Sequence, residues 1–223
     1  MKIPYFPSNL ERDLKATRET LEENKWQDRL VKTYETEPRT GMHVSDLTLC
    51  LRQTALSRLH KPVWEEQTLY RFTMGRAMEK SFFSLLIPES TQELSVEKDG
   101  IVGHIDFAGE EIDYECKLTW GKEPQTAEQL FTDKFYWVDQ AGAYTHMRGR
   151  TQMNFVVCFL NPIPRLRSYT LTWDEYELEV LWARFLDNKE YIEVKNAQDE
   201  LPMKTPLTWL CRGCAYKEVC DES

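Results

Sequence analysis

The chain has 223 residues, 41% apolar and 29% charged, with a net charge of -9. That is the size of one substantial domain with its own core, and the composition is ordinary for a globular protein. The longest apolar run, "NFVVCFL", is too short for a membrane span, and the acidic balance argues against whole-surface adhesion to nucleic acid, which needs many cations to displace counterions. The N-terminus lacks the continuous apolar stretch of a signal peptide. A cytoplasmic location without membrane contact is therefore expected, where thiols stay reduced and cysteine clusters hold metals more often than they form disulfides.

Residues 9–36 carry Leu10, Leu14, Leu21 and Leu30 near helical spacing, which predicts a long amphipathic helix capped by Ser8 or Asn9 and broken by Pro38 and Gly41. A second helix is expected from Ser45 through "DLTLCLRQTALSRL", and a third through "YRFTMGRAMEKSFFSLL" up to Pro88. From Thr91 to Leu118 the runs "TQELSVE", "GIVGHIDFA" and "EIDYECKLTW" are separated by Asp99-Gly100 and Gly109, predicting an antiparallel meander. A helix from Pro124 to about Met147 follows, then "QMNFVVCFL", whose unbroken apolar centre suits a strand buried on both faces. Beyond a turn at Pro162 and Pro164, a strand near "RSYTLTW" and a helix from about Asp174 to Lys195 lead into a cysteine-rich tail. The short basic clusters Arg148 with Arg150 and Arg165 with Arg167 read as solvated surface.

Alternate side chains of a strand share a face, so Asp113, Glu115 and Lys117 point one way and Tyr114, Cys116 and Leu118 the other. The same rule sets His104 and Asp106 opposite Ile105 and Phe107, and pairing through the Gly109 turn lets Asp106 and Glu115 converge. Two carboxylates held close repel; a divalent cation relieves that repulsion, polarises a phosphate and lowers the pKa of a bound water. Lys117 beside them has the chemistry to orient or deprotonate that water, or to neutralise charge developing on a phosphate. A solvated strand face with alternating charges produces the same short pattern by chance.

More than that pattern is present. Asp106, then Glu115-Cys116-Lys117, then Gln140 and Tyr144 in "QAGAY" resemble the motifs of the RecB-like branch of the PD-(D/E)xK nuclease superfamily, whose Q-x-x-x-Y places both residues on one helical face. The resemblance implies that Gln140 and Tyr144 help hold Lys117 and the DNA backbone, and that the Cys116 backbone carbonyl joins Asp106 and Glu115 at the metal. "MGRAMEK" is similar to the branch's first motif, G-x-x-x-H, with Glu79 in the place of the histidine; glutamate is a hard oxygen ligand suited to Mg or Mn. His104 is a further candidate ligand on the active face, although a lone histidine is more often structural.

Cys211, Cys214 and Cys220 in the tail, with Cys50 upstream, fit four-thiolate ligation of an iron-sulfur cluster or of a structural zinc, which spacing alone does not separate. Cys116 and Cys158 sit in apolar strand contexts and read as core. One cysteine before the nuclease motifs and three after them resembles the iron-sulfur nucleases, above all the CRISPR-associated Cas-four exonuclease family and related phage-encoded members, over about residues 44–220. That resemblance implies an α/β (α+β), restriction-endonuclease-like core, with a central mixed sheet flanked by helices, and a helical, cysteine-rich lobe holding a 4Fe-4S cluster. The expected organisation is one nuclease unit over 1–223: a helical segment at 1–60, the nuclease core at 68–172 and the C-terminal helix and cluster tail at 173–223. The implied activity is a Mg- or Mn-dependent exonuclease on single-stranded DNA or DNA ends, in CRISPR adaptation or in phage recombination and repair, partnered by other proteins of those systems. The alternative is a weak or inactive cluster-bearing subunit that keeps the fold to bind DNA or protein.

Overall fold

The structure is a computed structural model and describes residues 41–87 and 90–222. The helix expected over 9–36 lies outside these residues. The described chain begins with a strand the sequence did not announce, β1 (Met42–His43), followed by a 3-10 turn over Val44–Leu47. Asp46 closes that turn by accepting the His43 N–H at 3.0 Å, and Thr48 donates back to the Ser45 carbonyl at 3.0 Å. Cys50 stays extended, so α1 (Leu51–Leu59) starts there and not at Ser45. The third helix starts earlier than its pattern suggests, as α2 (Glu66–Ala77), and its continuation over Met78–Phe83 is π-helical before a last α-turn at Ser84–Leu86. The π stretch carries Glu79; such bulges mark local departures from the α ladder and are frequent at functional sites.

Strands β2 (Thr91–Lys98), β3 (Ile101–Ala108) and β4 (Asp113–Lys122) form the expected meander. Asp99 and Gly100 both have left-handed φ, 52° and 71°, the geometry of a tight hairpin turn. The helix expected between Pro124 and Met147 is two helices, α3 (Ala127–Asp133), capped by the Thr126 side chain, and α4 (Phe135–Met147), with the break at Lys134. β5 (Gln152–Asn161), β6 (Arg165–Thr172) and α5 (Glu175–Ala197) follow, α5 opening on a capping box between Asp174 and Glu177. A 3-10 turn over Thr208–Gly213 and α6 (Lys217–Glu222) complete the described chain.

The sheet is mixed: β1 runs parallel to β3, β4 parallel to β5, and the other pairings are antiparallel. β2 lies along the whole of one edge of β3. β1 and β4 must then share the other edge, β1 at Ile101 and Val102, β4 only at Phe107 and Ala108. Between those ends β3 and β4 splay apart.

One core lies between the sheet and α4 and α5, with Phe155, Val157 and Phe159 of β5 against Trp137, Ala141, Trp182 and Phe185. The other face of β5 gives Val156 and Cys158 to a second core with Phe83 and Phe107, where Cys116 also packs. β5 is thus buried on both faces, as its unbroken apolar run requires. A third cluster joins Leu56 of α1 to Ala215 and Tyr216 of the tail, and the buried Arg52 donates to the Pro202 carbonyl at 3.0 Å.

Of the two basic clusters, Arg165 and Arg167 lie at the solvated surface as expected, whereas Arg148 and Arg150 are half-buried. Arg148 and Arg150 each reach the fully buried Asp113 at 3.1 Å, and Arg165 and Arg167 both pair with Glu123. Asp113 therefore shares a face with Glu115 but serves to pin β4 to the end of α4. Asp113→Ala leaves two guanidinium groups facing a buried gap, and urea denaturation is expected to show a loss on the order of 3 kcal/mol; a loss below about 1 kcal/mol, the scale of a surface pair, would contradict this role.

Candidate active site

Where β3 and β4 splay, side chains take over from the ladder. Asp106 Oδ2 accepts the Cys116 N–H at 2.8 Å, and the hydroxyl of Tyr144 is hydrogen-bonded to the backbone of His104. The alternation along β3 slips at this point: Ile105 packs into the first core and Phe107 into the second, so the two do not share a face as the sequence pattern predicts. In an extended residue N–H and C=O project to the same side. The Cys116 carbonyl therefore points to the Asp106 side of β4.

Asp106 and Glu115 do converge. Glu115 is 1% exposed, and one carboxylate oxygen is hydrogen-bonded to the Lys117 ammonium while the other, Oε2, is buried with no hydrogen-bond partner among the described residues. Burial, then the charge of Asp106, push the Glu115 carboxyl up to about 8 against the pull of Lys117. Asp106 is raised as well, mainly by burial and less by Glu93, with Lys117 and the Cys116 N–H opposing. Glu79 arrives from the π stretch and is pushed up to about 7 by burial, Asp106 and Glu93 in that order.

Burial pulls Lys117 down, but Glu115 and Asp106 outweigh it and hold the side chain above its ordinary range. It stays an ammonium. Its Nζ donates to Gln140 Oε1 at 3.1 Å, and Gln140 Nε2 donates to the Tyr144 hydroxyl at 2.8 Å. The structure thus links Lys117, Gln140 and Tyr144 in one chain of hydrogen bonds. His104 is placed otherwise: its ring is exposed and stacks on His43 at 5.3 Å, and it is its backbone that meets the site.

Among the described residues no three His, Cys, Asp or Glu side chains stand close enough together to hold a metal ion. The donor chemistry nevertheless fits a hard divalent cation: carboxylates from Glu79, Asp106 and Glu115, burial and neighbouring acids that raise all three, and a buried carboxylate oxygen that nothing among the described residues satisfies. Away from the carboxylates, Cys50, Cys211, Cys214 and Cys220 line one pocket together with Arg52 and Leu56. Burial raises the Cys214 thiol, and the other three lie near enough to add to the effect. Cys116 is not among them; its side chain packs in the second core, and burial followed by the surrounding acids pushes its thiol far up.

Three contributors escaped the sequence reading. Gly103 lies against Tyr144, whose ring would be 2.9 Å from an added Cβ; an isolated glycine in a strand signals such close approach. Tyr136 stands one helical turn before Gln140 and within electrostatic reach of Lys117. Glu93, opposite Asp106 in the β2–β3 register and with φ of 54°, adds negative charge to the site, and no sequence signal marks it.

The architecture defines an α/β protein with a six-stranded mixed sheet flanked by helices. No protein-family model matches the chain, and no curated protein matches it in sequence. Solved structures with a similar fold include the following two. SSO0001 is similar over 87% of this chain and 92% of its own, with a TM-score of 0.57 and 15% identity. A phage related exonuclease from Haemophilus somnus 129PT is similar over 67% of this chain and 82% of its own, with a TM-score of 0.54 and 12% identity.

The raised carboxyls have a consequence for stability. Between the ordinary value of 4.5 and about 8 the folded protein holds a proton at Glu115 that the unfolded chain has released, and Glu79 behaves alike up to about 7. The unfolded state binds fewer protons, so stability falls as pH rises through this window. In chelator the urea midpoint is expected to drop from pH 5 to pH 8, and excess Mg or Mn to raise it again at pH 8. A midpoint that climbs over that range, or that ignores the cation, would contradict the arrangement.

Proposed function

We propose that the protein is a metal-dependent deoxyribonuclease of the RecB-like iron-sulfur type, hydrolysing phosphodiester bonds in single-stranded DNA or at DNA ends. The observation that carries the reading is the buried Glu115 Oε2, without a partner among the described residues, in a group of three mutually repelling carboxylates next to a lysine held by the Gln140–Tyr144 pair. Glu79, Asp106, Glu115 and the Cys116 carbonyl would hold Mg or Mn. When bound, the cation offsets the carboxylate repulsion and polarises a phosphate.

The chain's own residues do the rest. Because Lys117 remains an ammonium, its role is to neutralise charge on the phosphate and orient the attacking water; it has no free pair to take a proton with. Gln140 fixes the lysine's position, and Tyr144, seated against Gly103, fixes Gln140. His104 acts through its backbone in this scheme.

Cys50, Cys211, Cys214 and Cys220 would hold a 4Fe-4S cluster, supported by their shared pocket and by the order of motifs that resembles the Cas-four family and its phage relatives. Such a cluster would tie the entry of α1 to the tail and couple metal occupancy to folding. Spacer acquisition in CRISPR adaptation and phage recombination or repair both consume such an activity.

With labelled single-stranded DNA and Mn, cleavage by Lys117→Ala is expected to be about a hundredfold slower or worse; equal activity, or equal inertness of the wild type, would sink the catalytic assignment. Protein purified without oxygen is expected to be brown, with a broad absorption band near ~400 nm, kept in Cys116→Ser and lost in Cys214→Ser. A colourless protein with stoichiometric zinc would replace the cluster by a structural zinc.

A further inference from the structure

An aromatic surface continues from the lysine toward the cysteine-bearing turn. Tyr136, Gln140 and Tyr144 succeed each other at four-residue spacing, so they form one stripe along α4. Gln140 holds Lys117, and the Tyr136 phenol lies within reach of the same ammonium. Trp209, two residues before Cys211, packs on Tyr136 with ring centroids 5.9 Å apart and planes at 39°. Phe135 meets Tyr136 edge-on at 5.9 Å. Trp209 and Phe135 remain 44% and 39% exposed. Lys134 Nζ lies 5.9 Å from the centroid of Tyr136 and 5.7 Å from that of Trp137, which fixes a cation beside the rings.

We propose that Phe135, Tyr136 and Trp209 form a stacking platform for an unpaired nucleobase of a DNA strand whose phosphate sits at Lys117, with Lys134 beside the neighbouring phosphate. The placement of that phosphate rests on the nuclease reading; the platform itself rests on the rings. Base-on-aromatic stacking tolerates any sequence but needs a base free of its partner strand, so the surface selects single strands and frayed ends over intact duplex. The net charge of -9 makes a local cation more necessary, and Lys134 supplies one. Two aromatic residues left half in solvent next to a charged site are in the right state for a flat, partly apolar ligand.

The test is fluorescence anisotropy in EDTA, where no turnover occurs, with full-length protein, a short labelled oligo-dT and a blunt duplex of the same length. Trp209→Ala is expected to weaken oligo-dT binding about tenfold, to leave the duplex nearly unchanged, and to be rescued by Trp209→Phe; far-UV circular dichroism checks that the exposed substitution leaves the fold intact. Unchanged oligo-dT binding overturns the platform, as does an equal loss on duplex, a failure of Trp209→Phe to rescue, or a wild type that does not bind oligo-dT. A wild type that cleaves nothing with Mn yet shows this dependence on Trp209 would defeat the nuclease reading and leave the platform standing.

Discussion

The site depends on one substitution of a side chain for backbone: the Asp106 carboxylate takes the Cys116 N–H that a neighbouring strand would otherwise satisfy. β3 is paired along one edge by β2 but only at its two ends on the other, by β1 and β4. A gap in a sheet exposes donors and acceptors that are costly to leave unpaired. Filling the gap with a carboxylate satisfies the backbone, and it also drives a charge into the interior of the sheet, next to Glu115. The acid pair, the slip in alternation between Ile105 and Phe107 and the inward turn of the Cys116 carbonyl follow from that one opening.

Such a concentration of acids is tolerable because each has something to offset it. Lys117 is the nearest, and its hydrogen bonds to Glu115 and Gln140 leave it little freedom. Protonation of Glu79 and Glu115 near neutral pH is the second, and the divalent cation proposed for this site would be a third. The π stretch fits the same economy of space. Its wider turn presents Glu79 while Phe83, in the same stretch, anchors the second core.

Period-2 alternation and turn residues made β2 to β4 legible, with Asp99-Gly100 adopting the backbone those residue types favour. The unbroken apolar run of β5 disclosed a strand covered on both sides. What the pattern could not convey was tertiary. β1 is two residues long and exists only because β3 has room beside Ile101; Ser45 is a good cap type, but Asp46 and Thr48 closed a tighter turn first and delayed α1 to Leu51. At the site, strand alternation set Glu115 beside Lys117 and helical spacing put Gln140 and Tyr144 on one face, but only the motif resemblance tied that pair to the lysine. The pattern was silent on Asp113, whose charge alternates with Glu115 but is answered by Arg148 and Arg150 from 35 or more residues away, and on Glu93, which reaches the site through sheet register alone.

The two ties between β4 and α4 also obey a ruler. On the strand, Asp113 and Lys117 are four residues apart, about 13 Å at the extended rise; on the helix, their partners Arg148 and Gln140 are eight apart, about 12 Å at the helical rise. The two lengths are commensurate, so strand and helix run antiparallel like the rails of a ladder with two rungs, one ionic and structural, one at the lysine. A single-residue insertion or deletion between the rungs of either rail would turn one partner away by half a strand repeat or by roughly 100° of helix. Loop lengths around this pair are free to drift, whereas the intervals 113–117 and 140–148 are not.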